Sequence, residues 1–208
     1  MAEAKSTTRY EPTTRRPRSA ETRARLLQSA LSLFREQGYH GAGTNDIGAA
    51  AGLTGPSIYR HFATKDELLV AAVLEGARSL GHGLAQALEA PDPVRALEVL
   101  CSTFVASALK DPDLMYVYFY EARHMPSEAQ ASLEMSAKPY LAHYEHFLAA
   151  SRPELSAEEV HIRVLAASHM VGGMCTDLPD VSEAVLADVL TARMLATLLG
   201  DVVLQVST

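Results

Sequence analysis

Only two cysteines occur in the 208 residues, Cys101 and Cys175, and neither lies near a histidine in a nucleophile or metal-ligand pattern. Both fall inside apolar helical patterns and are expected to be buried free thiols, which suits a reducing, cytoplasmic location. Long apolar runs are missing as well. Leu68 to Leu74 is a typical stretch, and Glu75 ends it far short of the ~20 residues of a membrane span. The N-terminus is polar and basic, without the apolar centre of a secretory signal. β-Branched runs are scarce and no strand pattern or repeat is found, whereas Ala, Leu and Glu are abundant, so the expected class is all-α. The segment Gly55-Pro56-Ser57 lacks the Gly-x-Ser-x-Gly elbow, and no glycine-rich phosphate loop appears. No catalytic residue, metal ligand set or cofactor is therefore expected. What is present is ordinary for a globular protein: 48% hydrophobic and 21% charged residues, in a chain long enough to bury a core.

The net charge of −7 hides an asymmetry. Residues 1–65 hold ten Lys/Arg against five Asp/Glu, a net of +5; residues 66–208 hold eight against twenty, a net of −12. A basic head on an acidic body is the pattern of a chain that meets phosphates at one end only. The split divides the chain into a flexible basic arm (1–19), a head (20–65) and a body (66–208). Arg9, Arg15, Arg16 and Arg18 make the arm basic, either to reach into a minor groove or simply to keep the terminus solvated.

About nine helices are expected. The first, near Ala20 to Gln37, carries Leu27, Ala30, Leu31 and Phe34 as one apolar stripe. Gly38 should stop it, with Tyr39 folding back onto the stripe. Thr44 is a candidate N-cap for a second helix ending near Ala51, and Gly52 supplies the positive φ of a sharp turn. Thr54 would cap a third helix with Pro56 in its first turn. Ile47, Ala51, Leu53 and Ile58 form a small shared core, which satisfies the helix-turn-helix template. Thr64-Lys65-Asp66-Glu67 reads as a capping box for a fourth helix that passes from head to body and weakens at Gly76, Gly81 and Gly83. Five further helices follow, opened at Asp92-Pro93, Asp111-Pro112, Pro126, Ser156 and Asp180 to Ser182. Pro139 is expected to kink the third of these.

The combination Phe34, Gly38-Tyr39, Thr44, Ile47, Ala51-Gly52, Tyr59, Phe62, Lys65 and Leu68 resembles the TetR family of bacterial transcriptional repressors. The likeness covers about a quarter of the chain, and its spacings are far more specific than a bare helix-turn-helix. Gly48 and Asn45 depart from residues common there, without threatening the fold. The resemblance implies an all-α homodimer with a small DNA-binding head and a larger domain holding an inducing ligand and the dimer interface. It also implies that Thr44, Tyr59, His61 and Lys65 lie against the backbone of double-stranded operator DNA.

Thr54, Gly55, Ser57 and Arg60 lie where a recognition helix enters the major groove. Arg60 can read guanine bidentately or bind a phosphate. Lys65, at a helix N-terminus that disfavours a cation, would be reconciled with its position by a bound phosphate. Phe62 and Ile58 are assigned to packing. Sparse base contacts from one head call for a dimer reading a palindrome. The last two helices, rich in Ala166, Ala167, Gly172, Gly173, Ala184, Ala187, Ala192 and Ala196, are the expected interface, although half of these residues would serve equally as internal core.

In the body, Tyr116, Tyr118, Phe119 and Tyr120 surround one helix, and Phe104, Tyr140, Tyr144 and Phe147 can supply a facing wall. The expected ligand-binding set is Phe104, Tyr116, Phe119, Tyr120, Arg123, Tyr144 and Met170, around an apolar cavity. Arg123 beside His124 suits an anionic head group such as that of a fatty-acyl thioester. The Tyr-Phe-Tyr-Glu-Ala-Arg stretch is also loosely similar to regulators of lipid metabolism. Glu121 and Glu145 with the tyrosines would instead suit a flat cationic drug. A metal sensor is the third reading, from Glu121 with His124 and His143 with His146 at i, i+3 spacing. In each case the ligand would move the fourth helix as a lever and misalign the heads.

Overall fold

The structure is a computed structural model, and it describes residues 18–53, 55–77, 81–175 and 177–200. Among these residues every regular element is helical. The elements are α1 Arg18–Gly41, α2 Thr44–Ala50, α3 Gly55–Ile58, α4 Lys65–Ala77, α5 Gly81–Leu88, α6 Pro93–Lys110, α7 Pro112–Tyr116, α8 Ser127–Ser151, α9 Ala157–Met174 and α10 Glu183–Leu199. Between α7 and α8 the chain widens into a π-turn, Val117–Glu121, and then tightens into a 3-10 turn, Ala122–His124. The stretch expected as one glycine-weakened fourth helix supplies both α4 and α5. Arg9, Arg15 and Arg16 of the arm and the Thr54 cap lie outside the described residues, while Arg18 opens α1.

The α1 stripe is buried as its spacing requires: Leu27, Ala30, Leu31 and Phe34 all face inward, joined by Leu26. At Gly38 the backbone takes φ 71°, which only glycine adopts without strain, and the chain kinks there before one further turn. Tyr39 folds back so that its ring lies 5.5 Å from that of Phe34. Several helix starts follow their sequence signals. Asp92 accepts the Arg95 N–H and Asp111 the Leu114 N–H. Ser156 and Glu159 form a complete reciprocal cap. At α4 the box is shifted: Thr64 Oγ1 accepts the Glu67 N–H, but Glu67 reaches the Ala63 N–H instead of that of Thr64. α8 runs from Ser127 to Ser151 with Pro139 inside it.

α6, α8, α9 and α10 pack around one another, α5 lies on α6, and α4 bridges from α1 to α8. One continuous apolar cluster extends from Phe34 and Ile47 to Leu148 and Leu198. Both cysteines are buried and unpaired. Burial, with Glu98 second, pushes the Cys101 thiol up to about 12 and leaves it unreactive at neutral pH. No helix among the described residues is long and apolar enough to cross a membrane.

Gly172 sets the approach of the π-turn to α9. A Cβ there would stand 2.3 Å from the Phe119 ring, so the ring rests against bare helix backbone. Gly172→Ala must displace the ring, at about 1–3 kcal/mol for overpacking, against the ~1 kcal/mol that Ala gains in a helix. A lower urea midpoint at unchanged slope is expected; equal or greater stability would show that the ring does not sit there.

Candidate nucleic-acid interface and apolar cavity

In the head, α2 and α3 pack on each other across a short turn. Gly52, at φ 72°, makes the turn, and the Leu53 N–H closes it on the Gly48 carbonyl at 2.8 Å. Ile47, Ala51, Ile58 and Phe62 are buried beneath it, with Leu53 packed alongside. Their burial leaves Tyr59 and Arg60 exposed on the outer side, with Ser57 and His61 partly so. Thr44 Oγ1 and the Tyr59 hydroxyl lie 3.0 Å apart, so the two side chains present one hydrogen-bonding pair to solvent.

That contact corrects the expected cap. Gly43 holds the N-cap position of α2 with no side-chain hydrogen bond, and Thr44 is the first helical residue. Its hydroxyl is directed across the turn to Tyr59 rather than back to α2.

Lys65 needs a second correction. Its ammonium donates to the carbonyls of Tyr39 at 2.7 Å and Ala42 at 3.1 Å, and sits 4.5 Å from the Tyr39 ring centre. The end of α1 thus compensates a cation at the start of α4, and no phosphate is required to explain it.

Tyr39 is the junction between head and body. Its N–H donates to Glu121 Oε2 at 2.7 Å, its hydroxyl to Asp66, and its ring stacks 6.2 Å from that of His124. Burial, then Asp66, drives the Tyr39 phenol well above its ordinary range and keeps it a neutral donor. A second tie joins α1 to α7. Asp113 pairs with Arg35 at 2.9 Å and accepts from the Ser32 hydroxyl at 2.6 Å. The body therefore holds the head through Asp66 at the start of α4 and through Asp113 and Glu121, which flank the aromatic turn.

That turn walls a cavity of about 600 Å³ between α4, α6, α7, α8, α9 and α10. Phe104, Phe119 and Tyr144 line it as expected, together with Tyr118, Tyr140 and Ser168. Tyr116, Tyr120, Arg123 and Met170 do not line it. The α-helical period ends at Tyr116, and the wider π-turn leads Tyr118 and Phe119 inward while Tyr116 and Tyr120 stack on each other, 5.2 Å apart. Arg123 has left the helix altogether. It is exposed on the 3-10 turn, its Nε donating to His124 Nε2 at 3.3 Å. Met170 lies two positions beyond Ser168, roughly 200° around α9.

The carboxylates of the cationic-ligand reading are engaged elsewhere. Glu121 binds Tyr39, and Glu145 lies 2.7 Å from His161 Nδ1 on the outer surface. His124 Nε2 is 4.0 Å from Glu121, but among the described residues no three His, Cys, Asp or Glu side chains converge on a metal position.

A helix-turn-helix head whose outer side chains are hydroxyl, phenol and guanidinium is thus fixed to a helical body around an apolar cavity. Residues 26–72 match the family model of bacterial regulatory proteins of the tetR family. That match covers the helix-turn-helix head and the start of α4, and the chain as a whole has the fold of solved tetR-family regulators. It is 40% identical over 68 residues to the HTH-type transcriptional activator FasR of Mycolicibacterium smegmatis, a stretch covering 33% of this chain and 31% of FasR. The chain thus spans about a third of that relative's length. Among solved structures, a regulatory protein of the tetR family from Rhodococcus RHA1 superposes with a TM-score of 0.75 at 19% identity, over 86% of this chain and 97% of that one. AibR, solved in complex with isovaleryl coenzyme A and operator DNA, gives 0.71 at 17% identity, over 83% and 97%.

Proposed function

We propose that the protein is a homodimeric repressor that occupies a palindromic operator and is released by a small hydrophobic ligand in the apolar cavity. The observation that carries this reading is the double engagement of α4. Its first residue, Lys65, is bonded to Tyr39 and Ala42 of the head, and its Val73 lines the cavity. A molecule that reshapes the cavity therefore acts on the helix that carries the head. To empty an operator, the ligand must favour the DNA-free arrangement by several kcal/mol. The AibR complex, with both a ligand and operator DNA, supports the pairing of these two functions on this fold.

The outer faces of α9 and α10 support the dimer. Val185, Val189, Ala192 and Ala196 are exposed and spaced as one stripe along α10, next to exposed Ile162 and Ala166 on α9. Two copies joined there would form a four-helix bundle. Ala167 and Gly172, by contrast, are buried within the chain.

On the DNA side, Thr44, Tyr59 and His61 are assigned to backbone phosphates and Arg60 to a base edge, with Ser57 on the same short segment. Lys65 is retained as a phosphate donor only through the third N–H of its ammonium. Anisotropy titrations against duplexes varied one base pair at a time test these roles. Tyr59→Phe should weaken binding to all duplexes by a similar factor. Arg60→Ala should flatten discrimination at one base pair, worth roughly 1–3 kcal/mol. A uniform loss for Arg60→Ala would move that residue to the backbone set, and no loss for either variant would refute this docking face.

A further inference from the structure

The charged groups offered by the sequence for ligand binding all lie outside the cavity. Arg123 is exposed on the 3-10 turn, Glu121 is held by Tyr39, and Glu145 faces His161. Among the described residues no Lys or Arg lines the cavity. Glu134 is the carboxylate among them, and it is exposed, close enough to Tyr118 to raise that phenol after burial has done so. His169 also lines the cavity, but it is exposed and its Nδ1 lies 2.9 Å from the Leu165 carbonyl. Glu134 and His169 thus mark the outer end of the cavity, and among the described residues the deep end carries no charged side chain.

The deep end is not without polarity. The hydroxyls of Tyr140 and Tyr144 lie 3.3 Å apart on successive turns of α8, and both side chains line the cavity. A bond between two hydroxyls uses one O–H, so the accepting tyrosine keeps its own proton to donate. Ser168 does not compete for this role, because its hydroxyl proton is spent on the carbonyls of Val164 and Leu165 at 3.0 Å. Burial moves both phenols upward, Tyr140 to about 12, so at neutral pH the pair is a hydrogen-bond donor and never an anion. A buried carboxylate or ammonium would find no counter-charge there, and its desolvation would go uncompensated.

Building on the ligand-release reading above, we infer that the cavity selects an uncharged, mainly apolar molecule whose single strong acceptor, a ketone or ester carbonyl, is received by the Tyr140–Tyr144 hydroxyl pair. The specificity is double. Apolar walls accept the carbon skeleton, and the spare O–H rejects a pure hydrocarbon by remaining unpaired.

The test uses the full chain, with the neutral dye Nile red as reporter and three probes of equal chain length: 2-pentadecanone, pentadecanoate and pentadecylammonium, below their aggregation limits. The ketone should displace the dye at concentrations lower by roughly tenfold or more than either charged probe. In the Tyr140→Phe/Tyr144→Phe double variant, which preserves ring volume, that advantage should fall to within about threefold. Melting of the variant close to that of the parent protein confirms that the fold is intact. Equal or tighter binding of the carboxylate or the ammonium would overturn the inference, as would an advantage unchanged in the double variant, while leaving the cavity itself as the ligand site. Failure of Nile red and of all three probes to bind would instead remove the cavity reading, and this inference with it.

Discussion

Val189→Glu on the outer face of α10 is expected to convert a dimer into a monomer and to abolish tight operator binding. Val189 is half-exposed in the isolated chain, so a carboxylate there costs the fold of one copy little. In a dimer the same carboxylate would be placed, twice by symmetry, in an apolar seam formed with Val185, Ala192 and Ala196. Two linked heads gain on the order of 10²–10⁴ in affinity over one, and that factor should disappear with the dimer. Light scattering or sedimentation reads the assembly, and anisotropy on a palindromic duplex reads the binding. A variant that remains dimeric and binds normally would place the interface elsewhere.

Glu121→Ala is expected to loosen the head from the body. The carboxylate is buried and accepts the Tyr39 N–H at 2.7 Å, just after the kink at Gly38. Removing it leaves a buried donor without its charged acceptor, at about 1.5–3 kcal/mol. That corresponds to roughly 10–160-fold faster exchange of the Tyr39 amide if the junction opens locally. Glu121→Gln keeps an acceptor oxygen and should lose distinctly less. Exchange rates that match the parent protein in both variants would mean that the junction is held without Glu121, by Arg35–Asp113, Tyr39–Asp66, the Lys65 bonds and the apolar contacts. The position of Glu121 gives this prediction functional weight. It closes the π-turn whose Phe119 lines the cavity, so a change in the cavity has a short path to Tyr39, Lys65 and α4.

Much of this architecture was legible in the sequence because the signals were local. The Leu27 to Phe34 stripe, the Gly52 turn and the Ser156–Glu159 cap each depend on residues within one or two turns of each other. So does the separation of inward from outward side chains in the head: Ile58 and Phe62 are buried, Tyr59 and Arg60 are exposed. The failures share a cause. Lys65 was judged as a cation at a helix start, but its partners are the carbonyls of Tyr39 and Ala42, more than twenty residues earlier. Thr44 was judged as a cap, but its hydroxyl meets Tyr59 across the turn. The cavity lining was projected onto an ideal 3.6-residue helix, and the π-turn at Val117–Glu121 broke that period just where Tyr120 and Arg123 were assigned. No residue pattern in the aromatic run announced the change of pitch; it is accompanied by long-range packing, of Phe119 on Gly172 and of Glu121 on Tyr39.

The proposed grip of a negatively charged chain on DNA through one small basic end makes a sharp demand on experiment. The decisive measurement is a salt titration of the full chain on the duplex recovered by selection from a random pool. The account predicts a palindromic duplex with half-sites about one helical turn, ~34–36 Å, or a multiple of it apart, and binding that falls steeply and linearly in log–log form as salt rises. No enrichment of any duplex, or no binding even at about 50 mM salt, would contradict it.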